Sequence, residues 1–533
     1  MPGTQSPSTP PRAAQDRAVI IVGFDAMDIG LIERWADEGH LPAFAALRKQ
    51  AAGGRLGTSS AVLQASVWGT LATGCSPGKH GRYYMLQMRP GKAQVAKVRA
   101  EHCFREPFWA FLEPEDGRLC VVDVPLCVPA LRISGLQIVE WGAFDHMWGY
   151  ATSPTDRMEE VMRRFGDHPL RKRHTPPRTL RQYKRFAVRL VRGIDMKHRL
   201  NMGLLADGPW RLFVSVFGEP HACGHYYWRH HDPSHPEHDP GLARHVGTAL
   251  RDVYVAVDAA VGELVDRYGN DYAILLVSGH GIGPGYHPHH LLPEVLRRMG
   301  VTVAPAPGAR SAQRAEPLSY KRALLRRARG LVPPGLRAAL NRCLLVPRSV
   351  RDEMMVQNAL AGVDMRRSRA FCLPTDLQGY VRVNLAGREP TGTVRPGADY
   401  DAVCDEIERE LLSLRNADTG GQVVERVVRT HQAYAGADHL EQLPDLCVLW
   451  NASSPVSAVE SPRYGLIAGA PIRKGRSGSH RPDAFVFATG KRVPAGPRQV
   501  TGDILDVAPT VFRLLGKPPL ADWDGKPLGG IFT

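Results

Sequence analysis

The sequence predicts an α/β protein built around a mostly parallel sheet, and two observations support this fold class. Short apolar runs recur along the chain, and each is continuous instead of alternating, which is typical of strands buried on both faces. Segments with helical periodicity, such as Ile29–Asp37, separate these runs, and this alternation favours a sheet covered by helices on both sides. The predicted strands are 19–24, 118–124, 138–142, 211–217, 272–277, 379–384, 446–450 and 484–488, and further predicted helices are 247–268, 399–415 and 503–515.

The first half of the chain contains an apolar strand that ends at a carboxylate. Residues 19–24 (VIIVGF) are apolar apart from one Gly, and they end at the carboxylate of Asp25. The middle of residues 64–81 is predicted to be helical, and the end is a Gly/Pro turn. The runs 118–124 (RLCVVDV) and 211–217 (RLFVSVF) are followed by Pro and Gly respectively, which end strands.

The second half repeats the pattern of helix and apolar strand. Residues 247–268 have the spacing of a long amphipathic helix, and the run 272–277 (YAILLV) follows it at once. Residues 484–488 (AFVFA) form one more apolar run, and helix 503–515 closes the chain before a tail rich in Pro and Gly. The predicted alternation of strands and helices thus continues almost to the end of the sequence.

Length and composition narrow the class of protein. The chain has 533 residues, of which 43% are hydrophobic, so two or three domains or one large α/β domain are expected. Its nine Cys are scattered without a CxxC pair, which favours reduced thiols. Residues 1–17 are rich in Pro, Ser and Thr and are predicted to be disordered, without the apolar region of a signal peptide. A cytoplasmic protein is the expectation.

The net charge of +15 comes from two segments. Residues 161–200 hold 13 Lys and Arg against two Asp, and residues 310–351 hold 11 against one Glu, so the rest of the chain is net negative. Both segments are predicted to be basic helical insertions. They could steer an anionic substrate, touch nucleic acid or lie on an anionic membrane, although a solvated helical surface is favoured.

Five residues near predicted strand ends could bind a metal ion. Asp25, His221 with His225, and His280 follow three strands, and His480 lies just before another. The carboxyl ends of parallel strands meet at one edge, where α/β proteins bind ligands. Two His four residues apart share a face of a helical turn, and with a distant third they suit zinc or a similar ion. Asp25 could instead cap the next helix, and a single His is more often a packed or surface residue.

Several motifs together resemble the alkaline phosphatase superfamily, in particular its nucleotide pyrophosphatase/phosphodiesterase-like branch. The resemblance covers nearly the whole chain after residue 18. It implies an α/β three-layer sandwich formed by residues 18–369 and 461–533, with residues 370–460 as an inserted, cap-like α+β subdomain. The matching motifs are the strand that ends at Asp25 and residues 73–81, 219–225, 278–281, 478–483 and 503–510.

The resemblance implies two zinc ions side by side, and this chain departs from that pattern at one of them. In the family that ion is held by the first Asp, by a Thr or Ser nucleophile, and by the Asp and His of an Asp-His-Gly motif. Here the nucleophile position is Gln64, and the residue before His280 is Gly279. Asp25 and His280 would therefore hold a second ion only weakly.

The resemblance implies that the other ion keeps all its protein ligands. The family holds it by an Asp-x-x-x-His pair and a late His, which here become His221, His225 and His480. Three imidazoles with an open position form a known catalytic zinc site that lowers the pKa of bound water to about 7. We therefore expect one tightly held zinc ion, with manganese or iron as alternatives, and attack by metal-bound hydroxide. Gln64 would then donate a hydrogen bond to an anionic oxygen of the substrate.

Two further residues are weaker candidates. Ser66 lies near Gln64 and could contact the substrate, although it and Thr70 are not expected to replace the nucleophile. Glu219 precedes the His pair and could be an extra ligand, a general base or a carboxylate behind the ligands. A helix N-terminal acid is an equally good explanation of Glu219.

The predicted function is a metal-dependent hydrolase of a phosphodiester or a related phosphate or sulfate ester. The expected partner is a small anionic ester, and the oligomeric state is left open. One alternative is a non-catalytic descendant that keeps a ligand-binding cleft, since the nucleophile is absent. Another is an enzyme of a different reaction class that uses the three-His metal.

Overall fold

A computed structural model describes residues 17–532 except 90, 93, 100–102, 172–175, 307–359, 361, 376 and 470–474. The predicted disordered tail lies outside the described residues except for its last residue, Arg17. The second basic segment, 310–351, lies entirely outside them.

The described strands and helices follow the alternation expected from the sequence. The strands are β1 (Ala18–Phe24), β2 (Ala52–Leu56), β3 (Leu86–Met88), β4 (Val95–Lys97), β5 (Leu119–Val122), β6 (Gly135–Val139), β7 (Ala151–Ser153), β8 (Leu212–Phe217), β9 (Tyr272–Ser278), β10 (Gly281–Pro284), β11 (Ala370–Cys372), β12 (Gly379–Val383), β13 (Arg415–Asn416), β14 (Val424–Arg429), β15 (Leu446–Trp450), β16 (Ala458–Ser461), β17 (Gly465–Ala468), β18 (Gly478–Arg481), β19 (Ala484–Gly490) and β20 (Arg498–Gln499). The helices are α1 (Ile29–Asp37), α2 (Pro42–Gln50), α3 (Val67–Thr73), α4 (Pro77–His80), α5 (Arg157–Phe165), α6 (Leu180–Ala206), α7 (Glu219–His231), α8 (Pro240–Val246), α9 (Ala249–Tyr268), α10 (Leu292–Arg298), α11 (Ala398–Ser413), α12 (Thr430–Ala433) and α13 (Val507–Leu515).

Among the described residues, nine strands form the central sheet in the order β20-β2-β19-β9-β1-β8-β5-β6-β7. β1 lies in the middle and runs parallel to β8 on one side and β9 on the other. β5 and β6 continue the parallel part, whereas β19 runs antiparallel to β9 and β7 runs antiparallel to β6. The predicted α/β fold with a mostly parallel sheet is confirmed, and β1, β8 and β9 all end at one edge.

Both faces of β1 are buried, which explains its continuous apolar sequence. Ile20 and Val22 belong to a core that includes residues of α1, α6, α7 and α9. Val19 and Ile21 belong to a second core, on the opposite face, with residues of α3 and α13. The sheet is therefore the middle of three layers, and a strand in that position needs apolar residues on both faces.

One predicted strand is displaced. The sequence suggested residues 138–142, but β6 ends at Val139. Glu140 follows with a φ of 54°, a left-handed conformation that is incompatible with an extended strand. Its carboxylate accepts hydrogen bonds from the backbone N–H of Trp148 at 2.5 Å and Gly149 at 2.7 Å. Glu140 therefore ends the strand and closes the loop that follows it.

A second sheet lies in the part of the chain predicted to be an inserted subdomain. Among the described residues, its four strands have the order β11-β12-β15-β14, and β13, β16 and β17 form a three-stranded sheet. Val381, Val448 and Ile407 of α11 share a core with residues of α10. Gln378, just before β12, donates from Nε2 to the Ser60 carbonyl at 2.9 Å, so this region contacts the segment before α3.

The 27-residue helix α6 begins in the first basic segment and extends six residues beyond it, to Ala206. Tyr183 and Leu190 point into the core that covers β1, whereas Arg185 and Arg192 are exposed. The helix is thus part of a core layer, and its cations lie on the opposite face. None of the described helices combines the length and the apolar character that crossing a bilayer requires.

Candidate metal centre

The site forms where α7, β9 and β18 meet at the carboxyl edge of the central sheet. Helix α7 begins at Glu219, directly after β8. β10 starts shortly after β9 and pairs antiparallel with β18, so that Ile282 lies opposite His480. The rings of His280 and His480 consequently stack, with centroids 4.5 Å apart.

Gly478 lets β18 approach α7 closely. A Cβ on Gly478 would lie 2.1 Å from the carbonyl oxygen of Gly224, a separation at which only Gly fits. Ser477 N donates to the His225 carbonyl at 2.7 Å. His225 Nδ1 donates to the Gly478 carbonyl at 2.8 Å. These contacts hold β18 against the helical turn that carries His225.

Three His rings converge at this junction through their Nε2 atoms. The Nε2 of His221 lies 2.9 Å from that of His225 and 2.8 Å from that of His480, and the third separation is 3.1 Å. Among the described residues, these three form the group of side chains whose ligand atoms could share a metal ion. Tetrahedral zinc with bonds of about 2.0–2.1 Å to nitrogen places its ligands about 3.3 Å apart. The observed separations are close to that value.

The hydrogen-bond partners of two rings direct their Nε2 atoms toward the group. Gly478 O can only accept, so His225 Nδ1 carries the proton and its Nε2 presents a lone pair. Asp25 Oδ2 lies 2.6 Å from His221 Nδ1, which places a proton on Nδ1 and leaves Nε2 as the atom that a metal ion can bind. A metal ion can take the place of the protons shared among these nitrogens.

The pKa values of the three rings differ because their neighbours differ. Burial, together with the positive charge of Arg476, lowers the pKa of His225 well below its ordinary value. Burial and the surrounding imidazoles do the same to the pKa of His480. Burial also opposes the charged form of His221, but the Asp25 carboxylate outweighs it and the pKa of His221 is raised. His225 and His480 are therefore neutral near pH 7, which is the form that binds metals.

Asp25 and His280, the two residues expected at the weaker metal position, are not part of the three-His group. Asp25 is buried, and its Oδ1 accepts a hydrogen bond from Trp68 Nε1 at 2.9 Å. His280 Nε2 lies 3.6 Å from the same oxygen. Burial lowers the pKa of His280 to about 4, although Asp25 opposes that shift. Asp25 thus lies beside His221 as a hydrogen-bond acceptor.

Gln64 starts the 3-10 turn Gln64–Ser66, which leads into α3. The Tyr380 hydroxyl, on β12 of the second sheet, contacts the Gln64 backbone. Thr58 Oγ1, a few residues earlier, donates to the Gly279 carbonyl at 2.7 Å. The Gln64 segment is therefore held between the second sheet and the end of β9, and the Gln64 side chain is half-buried there.

The geometry does not favour the substrate contact expected of Ser66. Its side chain is buried, and its hydroxyl donates to the Leu63 carbonyl and lies 2.9 Å from Ser59 Oγ. Ser59 in turn donates to Thr70 Oγ1 at 3.1 Å, and Thr70 Oγ1 lies 3.0 Å from His80 Nε2. These hydroxyls are used in contacts within the fold.

Glu219 also lies in a place that favours a structural role over a catalytic one. Its carboxylate is buried, with Oε1 2.9 Å from His168 Nε2. His168 accepts from Leu170 N through Nδ1 and donates from Nε2 to the carbonyl of Gly193 on α6. Because residues two positions apart on a helix do not share a face, Glu219 faces α6 while His221 faces the other rings.

The sequence did not identify Phe144, an aromatic residue that packs against two of the His rings. Phe144 packs with its centroid 4.4 Å from the His221 ring and 5.8 Å from the His225 ring. Its loop is held by Asp123, which accepts from Trp141 N at 2.7 Å and Gly142 N at 2.6 Å. The position of Asp123 at the end of β5, on the site edge, was the signal that could have identified this loop.

Structural comparison finds distant likeness in solved proteins. Murine ectonucleotide pyrophosphatase/phosphodiesterase 5, in an inactive form in complex with AMP, is 11% identical, and the match covers 95% of this chain and 96% of that one with a TM-score of 0.43. Phosphonoacetate hydrolase from Sinorhizobium meliloti 1021, in complex with phosphonoformate, is 14% identical over 94% of this chain and 95% of that one with a TM-score of 0.49. No curated protein matches the sequence.

The family comparison is more decisive. The sequence profile of type I phosphodiesterase / nucleotide pyrophosphatase matches residues 19–467, which is well over half of the chain. This range includes Asp25, Gln64 and the His221 pair, and it ends before His480. The chain therefore belongs to the type I phosphodiesterase / nucleotide pyrophosphatase family, a family of phosphoester hydrolases.

Proposed function

We propose that the protein is a metal-dependent phosphodiester hydrolase whose ion is held by the Nε2 atoms of His221, His225 and His480. The observation that carries this proposal is the convergence of these atoms within 3.1 Å at the carboxyl edge of the central sheet. Zinc suits three imidazoles best among the common ions, and manganese and iron are alternatives.

The residues around the ligands prepare them for this role. A bound zinc ion supplies Lewis acidity, which polarises a phosphoryl oxygen and lowers the pKa of a water to about 7. Asp25 and Gly478 fix the rings of His221 and His225 through their Nδ1 protons. Burial keeps His225 neutral and able to donate its lone pair. The protein therefore holds the ligands in position before the ion arrives.

The substrate side of the site favours attack by water on an anionic ester. Gln64 stands where the family has its hydroxyl nucleophile, and an amide cannot supply that nucleophile. Its amide N–H groups can instead donate to an anionic oxygen of the ester. The charge of Arg476 acts on both His225 and His480, so an incoming anion meets a positive environment.

The test combines metal analysis with turnover in protein prepared without a His tag or added metal. We expect about one zinc ion per chain, and hydrolysis of an aryl phosphodiester that a chelator abolishes and zinc restores. Gln64→Ala should lower kcat by about 100-fold while metal content stays unchanged, because one oxyanion donor is lost. His245→Ala, at an exposed position on α8, is the matched control and should change neither.

Two results would overturn the proposal. Folded protein that takes up no metal would identify a non-catalytic descendant of the family. Stoichiometric iron together with oxygen-dependent turnover would identify another reaction class built on the same three rings.

A further inference from the structure

We infer that Asp25 is a positioning residue for His221, and that the space of the family's second metal ion is closed in this chain. This inference rests on the proposed function, because it concerns how the three-His site is held. It differs from the expectation drawn from family resemblance, in which Asp25 and His280 would bind a second ion weakly.

Both oxygens of Asp25 already have partners. Oδ2 accepts from His221 Nδ1 at 2.6 Å, and Oδ1 accepts from the indole N–H of Trp68 at 2.9 Å. The side chain is buried, so water does not supply alternative partners. A metal ion at Asp25 would have to share these oxygens with two charge-assisted hydrogen bonds, which draw on the same negative charge.

The space for a replacement ligand is filled by Val67. A Cβ at Gly279 would lie 2.2 Å from Val67 Cγ1, which is far inside van der Waals contact. Val67 is buried on α3 and is followed by Trp68, the donor to Asp25. Val67 thus fills the space that the Cβ of an Asp at position 279 would need. Trp68, the next residue of α3, donates a hydrogen bond to Asp25.

Only two ligand atoms of the second position remain, and they form a poor site. His280 Nδ1 lies 3.3 Å from the Gly281 carbonyl, which places the proton on Nδ1 and the lone pair on Nε2. That Nε2 is 3.6 Å from Asp25 Oδ1. Tight zinc sites use three or four protein ligands, so this pair would compete poorly with the three-His group.

The retained Asp25 and the His at position 221 therefore act as a pair. A His at position 221 needs a partner for its second nitrogen in a site where the ring is buried. Asp25 supplies that partner and fixes the ring so that Nε2 points at His225 and His480. A carboxylate that accepts from the distal nitrogen of a ligating His also raises the basicity of the ligand.

The first experiment uses the whole protein without substitution. Zinc titration followed by gel filtration and elemental analysis should give one ion per chain. NMR of the zinc-loaded protein labelled with ¹⁵N-His should show a strongly downfield Nδ1 proton assigned to His221. Two ions bound with similar affinity would overturn the inference while leaving a metal-dependent function intact, whereas no bound zinc would overturn the proposed function itself.

The second experiment removes the acceptor. Asp25→Asn should still bind one ion, with affinity lowered by about 10- to 100-fold, and the His221 Nδ1 resonance should move. Trp68→Phe removes only the second hydrogen bond to Asp25 and should have a smaller effect on both readouts. An unchanged His221 resonance in Asp25→Asn would overturn the assignment.

The third experiment tests the closed space directly. Gly279→Asp should bind no second ion and should lower Tm, because the new Cβ meets Val67. Adding Val67→Ala should recover part of that Tm loss. A second ion in Gly279→Asp with unchanged Tm would contradict closure by Val67.

Discussion

The two sides of the candidate site contain similar ligand types but differ in what surrounds the ligand atoms. On the side formed by α7 and β18, three imidazole nitrogens lie within 3.1 Å of one another and face a common point. On the side formed by α3 and β9, the Asp25 oxygens accept hydrogen bonds from His221 and Trp68. A side chain of the right type is thus a better ligand where strong hydrogen-bond donors do not compete for its charge.

The largest effect is expected from removing a ligand on the three-His side. His225→Ala leaves two imidazoles, so zinc affinity should fall by more than about 100-fold, and phosphodiester turnover should fall with it. Competition with a chromophoric chelator measures the affinity. A His225→Ala variant that retains wild-type zinc affinity would show that the three-His side does not hold the ion.

A second substitution changes the same side without touching a ligand. Gly478→Ala places a Cβ 2.1 Å from a backbone carbonyl, so β18 and His480 must move away from α7. Unfolding free energy should fall by about 1–3 kcal/mol, and zinc affinity should fall as well. Urea unfolding and zinc titration test both, with Gly262→Ala on α9 as the control because its Cβ would meet a side-chain methyl at 3.2 Å. Unchanged zinc affinity would contradict the close approach.

The pH dependence should separate the two sides. The pKa of His221 is raised above its ordinary 6.5, so in the metal-free protein it binds a proton that zinc must displace. Zinc affinity should therefore fall by about tenfold per pH unit below that raised pKa. Because burial lowers the pKa of His280 to about 4, the other side should add no proton over the same range. Isothermal titration in two buffers of different ionisation enthalpy counts the protons, and a count near zero at pH 6 would contradict this.

The smallest effect is expected at Glu219, which faces α6. Glu219→Gln keeps the shape of the side chain, so zinc affinity should change by less than about twofold and unfolding free energy by about 1 kcal/mol. Zinc titration and thermal unfolding are the measurements. A loss of affinity as large as that of Asp25→Asn would instead make Glu219 part of the ligand support.

Much of the fold could be predicted because its signals are local. Strands buried on both faces have to be apolar along their whole length, and β1, β8 and β9 were visible for that reason. The i, i+4 spacing of His221 and His225 likewise reports a shared helix face. The end of β6 was misplaced because the positive φ of Glu140 leaves no pattern in the sequence.

The roles of individual side chains depended on partners far away in the chain. Ser66 was expected to meet substrate, yet its hydroxyl contacts Leu63 and Ser59 within the fold. For Glu219 the sequence left a role beside the ligands and a helix N-terminal acid equally open, and the structure places it at the start of α7 against His168. Residue type suggests what a group can bind, but only packing decides which neighbour reaches it first.

The sequence by itself determined the fold class, the edge of the sheet where ligand-type residues gather, and the family to which the chain belongs. Only the tertiary structure decided that His221, His225 and His480 point Nε2 at one another and that Asp25 is used to hold one of them. The physical reason is that burial and periodicity act along a few neighbouring residues. The direction of a lone pair is instead set by hydrogen-bond partners such as Trp68 and Gly478, which are distant in the chain.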